Sequence, residues 1–250
     1  MRASGPCSFA DLVGFEPESV GSHHAHGTTV LALRYQYGVL VLADRRATMG
    51  NLIMYEHAEK ILPLDESVIV AVSGAYARSI EIGRFLRHSF KYYERLNLVE
   101  ISAEGKLMEI SRALKGNLPA INEGLGLFLP IAAAYDKGED SFGVYFFDAA
   151  GARFQSSDYA CAGSGSERIR GVFEYLIRTK GPWATRPFED VLKEGLTMLD
   201  IASDLDSATG GFRKILPSAF VLDRSGVREM KDDELRQSAD SVIETVRAAN

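Results

Sequence analysis

The chain of 250 residues is long enough to bury a sizeable core, as one large α/β domain or two small ones. Hydrophobic residues make up 46% of the sequence and charged residues 25%, a balance that excludes a disordered or fibrous protein. The formal net charge of -6 is spread along the sequence, and no basic run of the kind that binds nucleic acid occurs. We therefore expect a globular protein that does not bind nucleic acid.

The cysteine and histidine content argues against disulfides and metal sites. Cys7 and Cys161 are the two cysteines, with no CxxC or Cys/His spacing. His23, His24 and His26 could offer imidazoles to zinc, but a segment without fixed geometry would need further ligands from elsewhere. No apolar run has the length of a signal sequence or a membrane span. The sequence predicts a cytoplasmic protein with no metal, no cofactor and no membrane contact.

The N-terminal segment differs in character from the rest of the chain. Residues 1–27 contain glycine, proline, serine and three histidines without a regular hydrophobic period, which predicts a flexible leader. A β-like run begins at Thr28, so the folded domain is expected to cover residues 28–250.

Strands and helices are predicted in alternating groups after Thr28. Residues 28–35 and 38–44 are expected to pair as a hairpin, and residues 66–74 to form a third strand. Two amphipathic helices follow, with apolar stripes from Ile82 to Tyr93 and from Leu107 to Ile121.

The second half of the chain repeats this order. Further strands are expected at residues 130–136, 142–151, 218–223 and 226–230, with a short strand toward Tyr159. Further helices are expected around residues 169–177 and 188–199, with a polar closing helix over 231–250. This alternation predicts an α+β fold in which two antiparallel sheets pack face to face between helical layers.

Four short motifs in this framework suggest chemistry. Gly27 and Thr28 precede the first strand, Asp44 ends the second, Lys60 follows, and Gly74 ends the third. Each has an ordinary structural explanation alone, because β-branched residues start strands and polar residues end them. Their combined order and spacing is harder to ascribe to chance.

Five segments occur in an order and at a spacing that match a known family. They are GTTVLALRYQYGVLVLADRRATMGN, EKIL, AVSG, AGSGS and DSATGG. On these segments the sequence resembles catalytic β subunits of the 20S proteasome, most closely those of bacterial type. The resemblance extends from about Thr28 to the last hairpin. It implies the four-layer αββα sandwich of N-terminal nucleophile hydrolases, and it identifies residues 1–27 as a propeptide removed by autocleavage between Gly27 and Thr28.

The resemblance also implies a threonine endopeptidase. Thr28 would be the nucleophile, and the α-amine exposed by cleavage would be its base. Lys60, buried against Asp44, would lower the pKa of the Thr28 hydroxyl and amine. The backbone N–H of Gly74 would stabilise the oxyanion.

Three further residues match family positions near the nucleophile's amine. Ser164 matches a serine in a Gly-Ser-Gly turn, and Asp206 matches the aspartate of an Asp-x-x-Ser pair. Thr209 stands where the family has the serine of that pair, which leaves its hydrogen bonding open. Without the upstream motifs, DSATGG would be interpreted as a helix-ending loop.

Substrate binding is also implied by the resemblance. Thr48 would pair its backbone with an extended peptide, and Arg46 would take a structural position beside Asp44. The side chain before the scissile bond would enter a pocket without charged residues, which favours large apolar side chains. The expected lining is Ala47, Ala58, Leu62, Val72, Tyr76 and Ile80.

Family β subunits form seven-membered rings, so the implied partners are identical subunits, proteasome α-type subunits, an ATPase acting through the α ring, and unfolded protein substrates.

Three alternative functions remain open. One is the simpler two-ring bacterial protease of the same superfamily, whose subunits are shorter. Another is an inactive scaffold subunit, which would have no reason to keep Thr28, Asp44 and Lys60. The last is an amidase acting on a small molecule, because fold alone does not define a substrate.

Overall fold

The computed structural model describes residues 28–50, 52–123 and 126–249, with side chains described as far as residue 244. The predicted leader, with Gly27 and the three histidines, lies outside the described residues. Within the described part, two five-stranded antiparallel sheets pack face to face between helices, which is the predicted four-layer αββα sandwich.

The first sheet carries the start of the domain. Its strands are β1 (Val30–Tyr35), β2 (Gly38–Ala43), β10 (Tyr159–Ala162), β11 (Ser218–Asp223) and β12 (Gly226–Glu229). They are ordered β10-β1-β2-β11-β12, so β2 is the central strand and β1 lies between it and β10.

The second sheet is formed from the middle of the chain. Its strands are β5 (Ile61–Pro63), β6 (Val68–Gly74), β7 (Phe128–Asp136), β8 (Ser141–Phe147) and β9 (Arg153–Ser156). They follow one another in chain order across the sheet. A separate two-stranded hairpin consists of β3 (Ala47–Met49) and β4 (Leu52–Tyr55).

Helices cover the outer face of each sheet. The second sheet packs against α1 (Tyr76–Asn97) and α2 (Ala103–Gly116), which the short α3 (Leu118–Asn122) follows. The first sheet packs against α4 (Ser166–Lys180), α5 (Phe188–Leu205) and α6 (Asp232–Ala249). A single 3₁₀ turn, Trp183–Thr185, joins α4 to α5.

The residues of β1 show why the sheets stack in this way. Val30 and Ala32 contribute to the core between the two sheets, whereas Leu31 and Leu33 contribute to the core beneath α4, α5 and α6. Successive side chains of a strand point to opposite faces, so this alternation assigns each residue to one of the two cores. Small side chains between the sheets allow close approach, and leucines fill the wider space under the helices.

Two predicted elements differ in the structure, and three short strands were not predicted. The stripe from Leu107 to Ile121 is divided at Asn117, whose buried side chain accepts a hydrogen bond from Arg78 and donates one to the Gly126 carbonyl. The short strand toward Tyr159 is two strands, β9 and β10, which belong to different sheets. The hairpin of β3 and β4 and the short β5 were not predicted, because three or four residues give no measurable alternation.

No helix within the described ranges has the length and apolar content needed to cross a bilayer.

We predict that Leu33→Ala will lower the free energy of unfolding by about 2–5 kcal/mol, because it leaves a cavity under α5 where the structure has a fully buried leucine. Leu96→Ala, at a position 67% exposed on α1, is the matched control and should change stability by less than about 0.5 kcal/mol. Urea denaturation of both variants measures the difference. Equal losses in the two variants would contradict the assigned core.

Candidate functional site

Strand ends from both sheets meet at one edge of the sandwich. Thr28 and Thr29 precede β1, and Asp44 follows β2, so the antiparallel pairing of Val30 with Ala43 brings them together. From the second sheet, Lys60 immediately precedes β5 and Gly74 ends β6. The site is therefore assembled across the gap between the two sheets.

The Asp44 carboxylate is held by four donors. Its Oδ1 accepts hydrogen bonds from the Thr29 backbone N–H at 2.7 Å and from Lys60 Nζ at 2.8 Å. Its Oδ2 accepts from the backbone N–H groups of Arg46 and Gly210, each at 2.9 Å. Asp44 is only 1% exposed, so these donors replace the water that burial removes.

The Lys60 side chain is buried against Asp44, as expected. Its Nζ donates to Asp44 Oδ1 and, at 2.5 Å, to the Arg46 carbonyl. Burial lowers the pKa of Lys60 below its ordinary value, and the Asp44 carboxylate opposes that shift. A cation in this position exerts a strong field on neighbouring groups, because little water screens it.

Thr28 shares a small cavity with Lys60. Thr28 is 4% exposed, and its backbone nitrogen donates a hydrogen bond to Ser164 Oγ at 3.4 Å. The cavity is lined by Thr28, Ala47, Lys60, Val72, Gly74, Tyr76 and Ser79. The nucleophile and oxyanion positions implied by the resemblance, Thr28 and Gly74, thus face the same space.

Gly74 has a backbone conformation that favours glycine. Its φ of 100° lies in the left-handed region, and a Cβ there would overlap the Leu127 carbonyl. The strand can therefore turn at this point toward α1, which begins at Tyr76.

Ser164, Asp206 and Thr209 form a hydroxyl and carboxylate network beside Thr28. Ser164 Oγ and Thr209 Oγ1 each donate to Asp206 Oδ2 at 2.6 Å. The hydroxyl of Thr209 therefore bonds to the aspartate three residues before it. Thr209 Oγ1 also lies 2.7 Å from Thr29 Oγ1.

Arg46 connects the site to the loop that carries this network. Its guanidinium donates from Nη1 to the carbonyls of Ser207 and Thr209, at 3.1 and 3.3 Å, and from Nη2 to Glu56 at 3.2 Å. Thr48 is buried in β3, where it is paired with Ile53 of β4.

Three of the six expected pocket residues line the cavity next to Thr28, and the other three do not. Ala47, Val72 and Tyr76 line the cavity next to Thr28. Leu62 and Ile80 contribute to the core beneath α1, because the Leu62 side chain turns toward Gly83 of that helix. Ala58 is buried, and its N–H donates to the Arg45 carbonyl. Ser79, whose hydroxyl donates to the Tyr76 carbonyl, lines the cavity but was not predicted.

Thr29 and two glycines also contribute to the site and were not predicted. A Cβ at Gly163 would overlap the Thr28 carbonyl, and a Cβ at Gly165 would overlap Thr29 Oγ1. The Gly-Ser-Gly pattern around Ser164 was the available signal for close backbone approach. Thr29 gave no such signal, because a second threonine at a strand start is ordinary.

Across residues 28–50, 52–123 and 126–249, no group of three or more histidine, cysteine, aspartate or glutamate residues is arranged to hold a metal ion.

Comparison with known proteins identifies related sequences. Residues 24–211 match the family described as "Proteasome subunit". Three relatives carry the name "Proteasome subunit beta". The protein from Acidothermus cellulolyticus is 35% identical over 90% of this chain and 78% of its own length. Those from Streptomyces griseus and Acidimicrobium ferrooxidans are 32% and 33% identical, over 88% and 92% of this chain and 77% and 83% of their own lengths.

Proposed function

Because the chain belongs to the proteasome subunit family, we propose that it is a catalytic β subunit of a proteasome core, cutting peptide bonds with Thr28 as nucleophile. The observation that best supports this proposal is the buried pair of Asp44 and Lys60, with Lys60 lining the same cavity as Thr28. A buried ion pair rarely improves stability over apolar packing. A subunit with only a scaffold role would therefore gain little from it.

The proposed chemistry begins with the Thr28 hydroxyl. A free α-amine has an ordinary pKa of about 7.7 to 8 and can accept the hydroxyl proton near neutral pH. The positive charge of Lys60 favours the deprotonated forms of both groups. The Gly74 N–H would stabilise the oxyanion that forms when the hydroxyl oxygen attacks a carbonyl.

The same hydroxyl would release residues 1–27. Its oxygen attacks the Gly27 carbonyl carbon, the C–N bond to Thr28 breaks, and an ester forms while the nitrogen gains a proton. Water then hydrolyses the ester, which restores the hydroxyl and leaves the propeptide with a free carboxylate. Gly27 has no side chain to obstruct this approach.

The proposed assembly is a seven-membered ring of this chain, capped by proteasome α-type subunits through which an ATPase delivers unfolded proteins in the cytoplasm. Exposed apolar side chains on the hairpin of β3 and β4 support burial in an assembly, because isolated soluble subunits rarely expose such groups together. They are Met49, Leu52, Ile53, Met54 and Tyr55.

Thr28→Ala is predicted to keep residues 1–27 attached and to abolish peptidase activity, because no hydroxyl remains to attack the Gly27 carbonyl. Thr28→Ser, which keeps a hydroxyl, is the matched control and should still be processed. Mass spectrometry of the purified assembly reports the N-terminus and any α-type partner together. Normal processing of Thr28→Ala without active neighbours would refute autocleavage, and a particle lacking an α-type chain would favour the amidase or the two-ring protease.

The pH dependence of kcat should reflect the protonation state of Lys60. Its protonated form is the active one, and burial lowers its pKa, so kcat should fall on the alkaline side below the ordinary value of 10.5. Lys60→Ala should reduce kcat by about 100-fold or more, since the charge that activates Thr28 is lost. Lys60→Arg should move the alkaline fall to higher pH, because the guanidinium stays charged.

Lys106 provides the control for this profile. It is a second buried lysine, 2.6 Å from Asp65 at the opposite end of the second sheet. Lys106→Ala should leave the alkaline fall in place once activity is expressed per folded subunit. Wild-type kcat in Lys60→Ala would remove Lys60 from the proposed mechanism.

Cleavage should favour large apolar residues before the scissile bond. Burial of such a side chain contributes about 1.5–3 kcal/mol, enough for roughly tenfold preference over a charged one. Fluorogenic peptides ending in Tyr, Leu, Arg and Glu, tested on the assembled particle, measure the preference. Ala47→Asp should raise the rate after Arg relative to Tyr, because a carboxylate in the cavity offsets the cost of burying a cation. Faster release after Arg or Glu by the unmodified particle would contradict the assigned pocket.

A further inference from the structure

Thr29 joins the two polar networks of the site. Its side chain and backbone are wholly buried. Its backbone N–H donates to Asp44 Oδ1 at 2.7 Å, the oxygen that Lys60 also contacts. Its hydroxyl lies 2.7 Å from Thr209 Oγ1. One residue next to the nucleophile therefore contacts both the ion pair and the network around Asp206.

The direction of the hydrogen bonds follows from the number of protons available. A hydroxyl has one proton to donate, and a carboxylate oxygen accepts. Thr209 donates its proton to Asp206 Oδ2, so the proton between the two threonines must come from Thr29. The chain of donors thus runs from Thr29 through Thr209 to Asp206.

The hydroxyl of Ser164, on the other side of Asp206, also has a single proton. Ser164 donates its proton to Asp206 Oδ2 at 2.6 Å, so Ser164 Oγ can only accept from the Thr28 nitrogen. Asp206 Oδ2 is held by one hydroxyl from each side. Its position relative to Ser164 depends on Thr209, which in turn is held by Thr29.

We propose that Thr29 is a positioning residue: its hydroxyl holds Thr209 and Asp206 so that Ser164 offers a lone pair to the Thr28 nitrogen. This inference rests on the proposed function of Thr28. After cleavage that nitrogen is the α-amine. An amine that donates an N–H to Ser164 keeps its own lone pair available for the Thr28 hydroxyl proton.

The surrounding backbone leaves room for this hydroxyl. A Cβ at Gly165 would overlap Thr29 Oγ1 and would lie 2.7 Å from Thr209 Oγ1. Gly165 follows Ser164 directly, so the turn that presents the serine also encloses the threonine pair. The second glycine of the Gly-Ser-Gly turn is thus required by the Thr29 hydroxyl.

The test compares variants of Thr29 in the assembled particle, with kcat expressed per processed N-terminus as counted by mass spectrometry. Thr29→Val keeps the branched shape, and Thr29→Ala removes the hydroxyl without adding bulk near Gly165. Both should lower kcat about tenfold, because a buried acceptor on Thr209 loses its donor, and should change KM less than about twofold. Thr29→Ser keeps the hydroxyl and should retain kcat within about twofold.

A double-mutant cycle tests whether Thr29 acts through Thr209. If it does, the double variant Thr29→Val/Thr209→Val should lose no more kcat than Thr209→Val alone. Ser67→Ala is the control for loss of a buried bridging hydroxyl, since Ser67 Oγ joins Lys106 to Asp65 away from the site. Its kcat should equal that of the unmodified particle.

Two results would overturn the proposal. One is kcat within twofold of the unmodified particle in both Thr29→Val and Thr29→Ala. The other is additive losses in the double-mutant cycle. Either result leaves the function of Thr28 intact, because Thr28→Ala reports on that separately. An active and processed Thr28→Ala would instead refute the proposed function itself.

Discussion

The ion pair between Asp44 and Lys60 is the interaction on which the rest of the site depends. Asp44 follows a strand of the first sheet, and Lys60 precedes a strand of the second, so the pair links the two sheets at the edge where Thr28 precedes β1. Removing both charges from water has a large free-energy cost. That cost is offset by three backbone donors to Asp44 and by the Arg46 carbonyl beside Lys60.

The packing of the sandwich makes this link possible. Valine and alanine side chains dominate the core between the sheets, so the two backbones approach closely enough for a lysine from one sheet to reach an aspartate from the other. The helical layers then supply the remaining parts. The loop before α4 carries Ser164, and the loop after α5 carries Asp206 and Thr209, which together enclose the start of β1.

Most of the architecture was predictable because long elements carry strong periodic patterns. The hairpin of β1 and β2 alternates side chains between two cores, and α1 has an apolar stripe over several turns. Short elements were not predictable on that basis. The side chains of β4 are exposed on both faces. The helix break at Asn117 depends on hydrogen bonds with Arg78, which is distant in the chain, and with Gly126, which lies in the loop before β7.

The sequence by itself determined the fold class and the hairpin that begins near Thr28, because hydrophobic periodicity is a property of the chain alone. Its resemblance to proteasome β subunits identified Asp44, Lys60, Ser164 and Asp206 as candidate residues. Only the tertiary structure decided that Leu62 contributes to the core and that Thr29 bonds to Thr209 across 180 positions of sequence. The burial of a side chain and the direction of a hydrogen bond depend on which groups lie close together in the folded chain. Contacts between distant segments leave no periodic signal in the sequence.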